Sequence, residues 1–452
     1  MINNIVSAIN TTIKIKVNFL DCDKSFSRVR DWPLDRHVKF QIFRQKTTTR
    51  HDINTFYLES EDNSYKRVNR GNFSKQRTHI FPELFKDINQ NFLKEIKFNE
   101  NLTSHKTYKG FRLFAVDGLT LSFDNNQELR KDFKVKEGNL NYKNPSEAKF
   151  TAIMDLLNGY IVDGELGFFR QSERDLLKIN IKNSKKVFDF NKSILTLDRG
   201  FISLEMMSIL IENGFYFVQR HNEQYYKKEM SQVKTNDENI KIKLNSGQLR
   251  EFKDQKIKEK YSKKLHLELR CVTVELESGI KERLLTNIPP EIMSTDDIYH
   301  IYGERWIIET NYNSLKNRFK IENYTSNTPE NIKQDVYSTI ITYNIAFSYY
   351  NICNKLVQNK LIKKGKIKLE DDEYEYKVDF ANLIRNLNDC LYKMIINPTR
   401  EVINKYSSWL IYESCLEPNK IKKNRKNPRI KKTNGNRYSR SYAEMWKNMK
   451  IS

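Results

Sequence analysis

The stretch IYHIYGERWIIETNYNSLKNRFK, residues 298–320, holds the densest set of side chains able to do polar chemistry. Tyr302, Arg305, Glu309 and Lys316 step by three, four and seven. At about 100° per helical residue they share an arc of roughly 60°. One helix face then offers a phenol, a guanidinium, a carboxylate and an ammonium in line. Beside it Ile301, Ile308, Tyr312, Leu315 and Phe319 form an apolar stripe suited to packing on a core. Ser294 with Asp297 three residues later fits a capping box, and the spacing predicts one helix from Ser294 to about Lys320. A solvated helix laced with i,i+4 ion pairs would carry similar charges. Against that plain reading stand Gly303, which costs about 1 kcal/mol in a helix interior, and Trp306, an odd residue for simple surface.

Two further carboxylates follow apolar runs of strand character. Asp117 comes after FRLFAV and Asp198 after SILTL. The carboxyl edge of parallel strands is where ligands bind in such sheets. Each has a plainer reading: Asp117-Gly118 as a type I′ hairpin turn, Asp198-Arg199 as a surface pair. Asp155 and Asp163, also in strand-like segments, compete for the role of first acid. The seven His are scattered without an HExxH, and the five Cys form no CxxC pair. Any metal would therefore be held by carboxylates, which points to the hard cations Mg²⁺ or Mn²⁺.

The elements that must position these groups are legible from pattern. KFTAIMDLLNGYIVDGEL reads as two strands about Asn158-Gly159. SERDLLKINI reads as a short helix. SILTL, the helix SLEMMSILIENG capped by Ser203 and ended at Asn213-Gly214, and the strand FYFVQRH imply a right-handed parallel crossover. The expected fold class is α/β. A helical domain over 1–105 precedes the first part of a mixed-sheet core over 106–221. A β-rich insertion spans 222–290, the core resumes over 291–357 with the helix that carries Tyr302, Arg305, Glu309 and Lys316, and a helical region with a basic tail fills 358–452. The N-terminal helices fit a small bundle and a helix-turn-helix DNA reader equally well.

Composition narrows the function classes. The 452 residues suggest about three structural units. Lys plus Arg is 79 and Asp plus Glu 57, a net charge of +22, which suits a polyanionic partner. From Lys420 to Arg440 there are ten Lys or Arg and no acid, a likeness to phosphate-binding tails. No apolar run approaches the roughly 18 residues of a membrane span, and the N-terminal segment lacks a secretory pattern. The separated cysteines fit a reducing cytoplasm. No GxxxxGK[ST] or GxGxxG is present, so ATP or NAD chemistry has no support.

The order AVDG, then TLDRGF, then Y-x-x-R-x-x-x-E-x-x-x-x-x-x-K resembles the DDE transposases of the IS-four insertion-sequence family. Tyr302, Arg305, Glu309 and Lys316 match that family's YREK signature without a gap, and the resemblance spans about residues 70–350 and the basic tail. It implies an RNase H-like core interrupted by the β-rich insertion. It implies Asp117, Asp198 and Glu309 as catalytic acids and ligands of two Mg²⁺ (or Mn²⁺) ions, with Tyr302, Arg305 and Lys316 contacting DNA. The implied partners are double-stranded DNA, both element ends and target, and a second copy in a homodimer that pairs the ends. The implied setting is a bacterial cytoplasm, on the nucleoid when bound to DNA. Relatives excise through DNA hairpins and stack a flipped base on an aromatic residue, commonly a Trp in the insertion. Here Trp32, Trp306, Trp409 and Trp446 all lie outside 222–290, leaving Tyr225, Tyr226, Phe252 and Tyr261 for that task. The rival readings are a metal-dependent nuclease of the same fold without strand transfer and a domesticated DNA-binding protein.

Overall fold

The computed structural model describes the chain except residues 28–31, 61–66, 97–104, 125, 135–145, 276–280, 364, 366–372 and 423–452. Most of the basic tail therefore lies outside the described residues. Five helices open the chain: α1 (Ile2–Lys14), α2 (Leu34–Phe43), α3 (Thr49–Ser60), α4 (Arg70–Arg77) and α5 (Glu83–Glu95). The central part follows as β1 (Arg112–Phe123), α6 (Gln127–Asp132), β2 (Ser146–Asp155), β3 (Ile161–Phe168), α7 (Glu173–Ser184), β4 (Ser193–Leu197), α8 (Leu204–Glu212) and β5 (Tyr216–Arg220). Next come α9 (Lys227–Met230), β6 (Asp237–Lys243), α10 (Ser246–Arg250), α11 (Gln255–Ser262), β7 (His266–Glu275) and β8 (Lys281–Thr286). The described chain closes with α12 (Thr295–Gly303), α13 (Trp306–Asn317), α14 (Pro329–Lys363), β9 (Tyr374–Lys377), α15 (Phe380–Ile396), α16 (Arg400–Leu416) and β10 (Asn419–Lys422).

One eight-stranded mixed sheet, in the order β3-β2-β1-β4-β5-β8-β7-β6, forms the centre. β1, β2 and β3 make an antiparallel meander, while β4 runs parallel to both β1 and β5. The crossover through α8 supplies the parallel step, and Ser203 Oγ accepts from the Met206 amide at its start. Gly214 follows that helix at φ +80°, the left-handed geometry glycine adopts without strain. The Asn158-Gly159 signal does mark a reversal, but as a five-residue link, 156–160, rather than a two-residue turn. Residues 222–290 make no sheet of their own: β8 pairs with β5, and β7 and β6 lengthen the core sheet.

The N-terminal helices are tied to the rest. The fully buried Arg77 donates to Gln334 Oε1 at 3.0 Å, the Asn331 carbonyl at 2.7 Å and Asp335 Oδ1 at 3.1 Å, all on α14. Arg44 reaches the same Asp335 at 3.5 Å. α5 buries Leu84, Phe85, Ile88, Asn89, Gln90, Phe92 and Leu93, because its neighbours α1, α14 and β3 surround it.

Candidate functional site

Asp117 lies within β1, not in a turn: it pairs with Ala152 and Gly118 with Thr151. The hairpin reading of this dipeptide is thereby corrected; the apolar run continues through Leu121 and Phe123 on one strand. Parallel pairing of β1 with β4 ends at Val116↔Leu197. Asp117 and Asp198 are each the next residue, so two aspartates stand on strands about 4.8 Å apart. Asp198 leads the short turn Arg199–Phe201, and its Oδ1 is buried with no hydrogen-bond partner among the described residues.

The expected single helix is two. α12 ends at Gly303, and through Glu304 and Arg305 the ladder tightens to three-residue bonds: Arg305 N to Tyr302 O at 3.1 Å, Ile307 N to Glu304 O at 3.0 Å and Ile308 N to Arg305 O at 3.1 Å. Poor helix propensity at Gly303 locates the break. The apolar stripe survives it, with Ile301, Ile308, Tyr312, Leu315 and Phe319 all buried. The capping box of Ser294 and Asp297 is present as expected. α13 is laid along β1 by the Tyr312 hydroxyl, which donates to the Asp117 carbonyl at 2.7 Å.

That placement sets Arg305 among the acids. Its guanidinium lies 3.2 Å from Glu309 Oε1 and 3.8 Å from Asp117 Oδ2, and Arg305 is 6% exposed. Burial disfavours its charge, but Tyr302, Asp198, Asp117 and Glu309 offset this and its pKa is raised. Asp117 is pushed up to about 6, chiefly by burial; the Gly118 amide and Arg305 pull down, while Glu309 and Glu173 push further up.

The other signature residues are placed differently. Among the described residues the buried Tyr302 hydroxyl has no hydrogen-bond partner, and burial raises its pKa; its ring lies 5.8 Å from the Arg305 guanidinium carbon, so it backs that side chain. Lys316 donates to the Thr120 carbonyl at 2.8 Å and to Glu322 at 3.0 Å. Three residues past Asp117 on a strand is about 10 Å, so the structure does not bring Lys316 into the acid group. The rival acids are occupied elsewhere. Asp155 is fully buried and takes two bonds from Arg112, at 2.5 and 3.1 Å. Asp163, raised to about 7 by burial with Lys86 pulling down, pairs with that lysine at 3.4 Å. Of the aromatic residues considered for base stacking, Phe252 and Tyr261 are buried, Tyr226 half-buried, and Tyr225 exposed.

Sequence reasoning missed Glu173, in the first turn of α7. It sits against Gly118 and pairs with Lys149 at 3.2 Å. The available signal was a glycine after Asp117 that no turn requires.

The donor set suits a hard divalent cation in kind: carboxylate oxygens about a partnerless buried Asp198 Oδ1. Among the described residues no three His, Cys, Asp or Glu stand close enough to share an ion. Arg305 supplies the countercharge there.

A family model described as a transposase DDE domain matches residues 108–345, more than half of the chain. The chain belongs to the DDE transposase family. The matched span of this DDE domain opens just before β1, closes within α14, and contains Asp117, Asp198, Glu173, Arg305 and Glu309. No curated protein matches. Among solved structures, the chain is similar to a piggyBac transposase in a synaptic complex with hairpin DNA, at 11% identity and TM-score 0.39, over 91% of this chain and 82% of that one. Among the described residues of the DDE transposase, no helix is long and apolar enough to cross a membrane.

Proposed function

We propose that this DDE transposase is of the IS-four type, binds the terminal inverted repeats of its own element, cleaves there and joins the freed 3′-OH ends to target DNA. The observation that carries the reading is the convergence of Asp117, Asp198 and Glu309 on Arg305 in a chain of this family. A central β1 with an antiparallel meander on one side and parallel β4 and β5 on the other fits an RNase H-like core. Asp117, Asp198 and Glu309 would hold two Mg²⁺ or Mn²⁺ ions. Such ions activate an attacking oxygen and stabilise the leaving one. In cleavage, water oxygen bonds to phosphorus as the bond to the 3′ oxygen breaks, leaving a 5′-phosphate and a 3′-OH. In joining, that 3′-OH attacks a target phosphorus and displaces the target's own 3′ oxygen. Neither step needs ATP or a covalent enzyme intermediate.

Arg305 offers a planar fork to the scissile phosphate, and its pair with Glu309 fixes where the fork stands. Tyr302 supports it from below. Lys316 adds positive charge further along the same strand of DNA. Positioning of this kind lowers the barrier by orientation rather than by bond making. Two ends with one acid site each imply a homodimer on DNA.

The test uses short duplexes from the DNA flanking the gene. Asp117→Ala, Asp198→Ala and Glu309→Ala should each lower cleavage on the order of a thousandfold while end binding persists. Cleavage should require Mg²⁺ or Mn²⁺. Normal cutting by Asp117→Ala would reject the assignment. Cutting by the wild type without joining would indicate a nuclease, and binding without cutting a DNA-binding protein.

A further inference from the structure

The turn after α2 and the turn after α13 line one cavity. Arg44 and Lys46 stand on one wall, Arg318 and Lys320 on the other, and α14 and α15 close it. Among the described residues no acid lines it. Arg44 is 5% exposed. Its Nη2 donates to the Asn323 carbonyl at 2.7 Å, but Nε and Nη1 are buried with no hydrogen-bond partner among the described residues. Lys46 is 8% exposed and donates to neutral acceptors, the Lys320 carbonyl at 3.5 Å and the Thr339 hydroxyl. Both lysines hold the left-handed backbone region, Lys46 at φ +56° and Lys320 at φ +48°. Residues with a Cβ seldom adopt it, and such strain gathers at binding sites.

The acids behind the cavity are already shared. Asp335 lies 3.5 Å from Arg44 and 3.1 Å from Arg77, and Asp52 lies 3.7 Å from Arg44. Arg44, Lys46, Arg77, Arg318 and Lys320 thus have only Asp52 and Asp335 to balance them. Burial holds the Lys46 pKa well below its usual 10.5; Arg44 and Lys320 lower it further, while Asp335 and Asp52 offset this in part. Buried charges are ordinarily paired, and the partner lacking here is an anion. Donors converge from opposite walls, which suits a tetrahedral oxyanion better than a flat carboxylate. The Arg44 fork and the Lys46 point charge are both phosphate-binding groups. We propose that this cavity binds a phosphate group, the chemistry that a DNA backbone and free phosphate share. The cavity lies apart from the acid site and does not depend on the metal reading.

The experiment titrates the full-length chain with inorganic phosphate alone, by calorimetry at an ionic strength held constant with chloride, beside a melting curve for each variant. Arg318→Gln removes an exposed guanidinium. Lys320→Asn removes the ammonium and leaves a residue that tolerates the left-handed backbone. Arg44→Lys keeps a charge beside Asp335 but withdraws the fork. Each should weaken phosphate binding about tenfold or more, and the first two should melt like the wild type. Asp117→Ala should bind phosphate unchanged. A second titration, of a short duplex with and without saturating phosphate, tells the sources apart. DNA affinity that phosphate lowers in the wild type but not in Lys320→Asn assigns the cavity to a backbone phosphate; otherwise the ligand is free phosphate. No phosphate binding by the wild type, wild-type affinity in folded Arg318→Gln and Lys320→Asn, or binding lost in Asp117→Ala overturns the proposal.

Discussion

At the scale of single residues, Asp117 joins function to stability. Its carboxyl is raised from 3.8 to about 6, first by burial. The folded chain thus holds that proton more tightly than the unfolded one. The stability this gives is present in full below about pH 4 and is lost as pH rises through about 6. The displacement corresponds to about 3 kcal/mol at neutral pH. Asp117→Asn cannot ionise. In EDTA it should melt above the wild type at pH 7–8 and level with it near pH 4. Coincident melting curves at pH 7.5 would show that ionised Asp117 is not strained in the fold. Asp117 and Asp198 stand out in the sequence because each follows an apolar run, and Glu309 because helical spacing lines it up with Arg305. Glu173 does not, because only the packing of α7 over β1 brings it near. The Lys316 ammonium is held by Thr120 and Glu322, because a helical arc gives direction around an axis, not reach.

At the scale of elements, α12 and α13 show how a broken helix can aim one side chain. The tightening at Glu304 and Arg305 lets α12 keep its capping box while α13 follows β1. The sequence pattern reveals both ends of this segment and its buried stripe, but not the break, since Gly303 lowers helix stability without stating whether the chain bends. Ser294→Ala removes one half of the box and should cost about 1 kcal/mol. Ile308 is fully buried beneath the site. Ile308→Asp would bury an unpaired charge and should abolish cooperative unfolding or lower the melting temperature by far more than Ser294→Ala. Circular dichroism melts of the two variants decide the matter; similar small losses would mean that α13 is not held by its apolar stripe. The crossover through α8 is readable from Ser203 and Gly214. The junction of β8 with β5 is not, because alternation marks strands but leaves their neighbours undetermined.

At the scale of the whole molecule, charge and architecture meet at the C-terminus. The net charge is +22, and residues 423–452 carry ten Lys or Arg against one Glu. β10 precedes them and pairs with β9, Lys422 opposite Tyr374. A truncation that begins at Lys423 therefore spares the last paired strand, whereas one that begins at Lys420 would remove most of it. Every phosphate that the tail no longer neutralises should reduce the slope of log K against log salt by about 0.9 on duplex DNA. The truncated chain should thus bind DNA more weakly at 50 mM salt, show a flatter slope, and approach the full chain at high salt. Because phosphate binding positions the protein without reading bases, the weakening should be similar on element ends and on unrelated duplexes. Its melting temperature should stay unchanged, since β9 and β10 remain. Binding titrations at four salt concentrations on both duplexes measure this. Equal slopes for the two proteins would remove the tail from the DNA-binding surface, and a weakening confined to the element ends would make it a sequence reader instead.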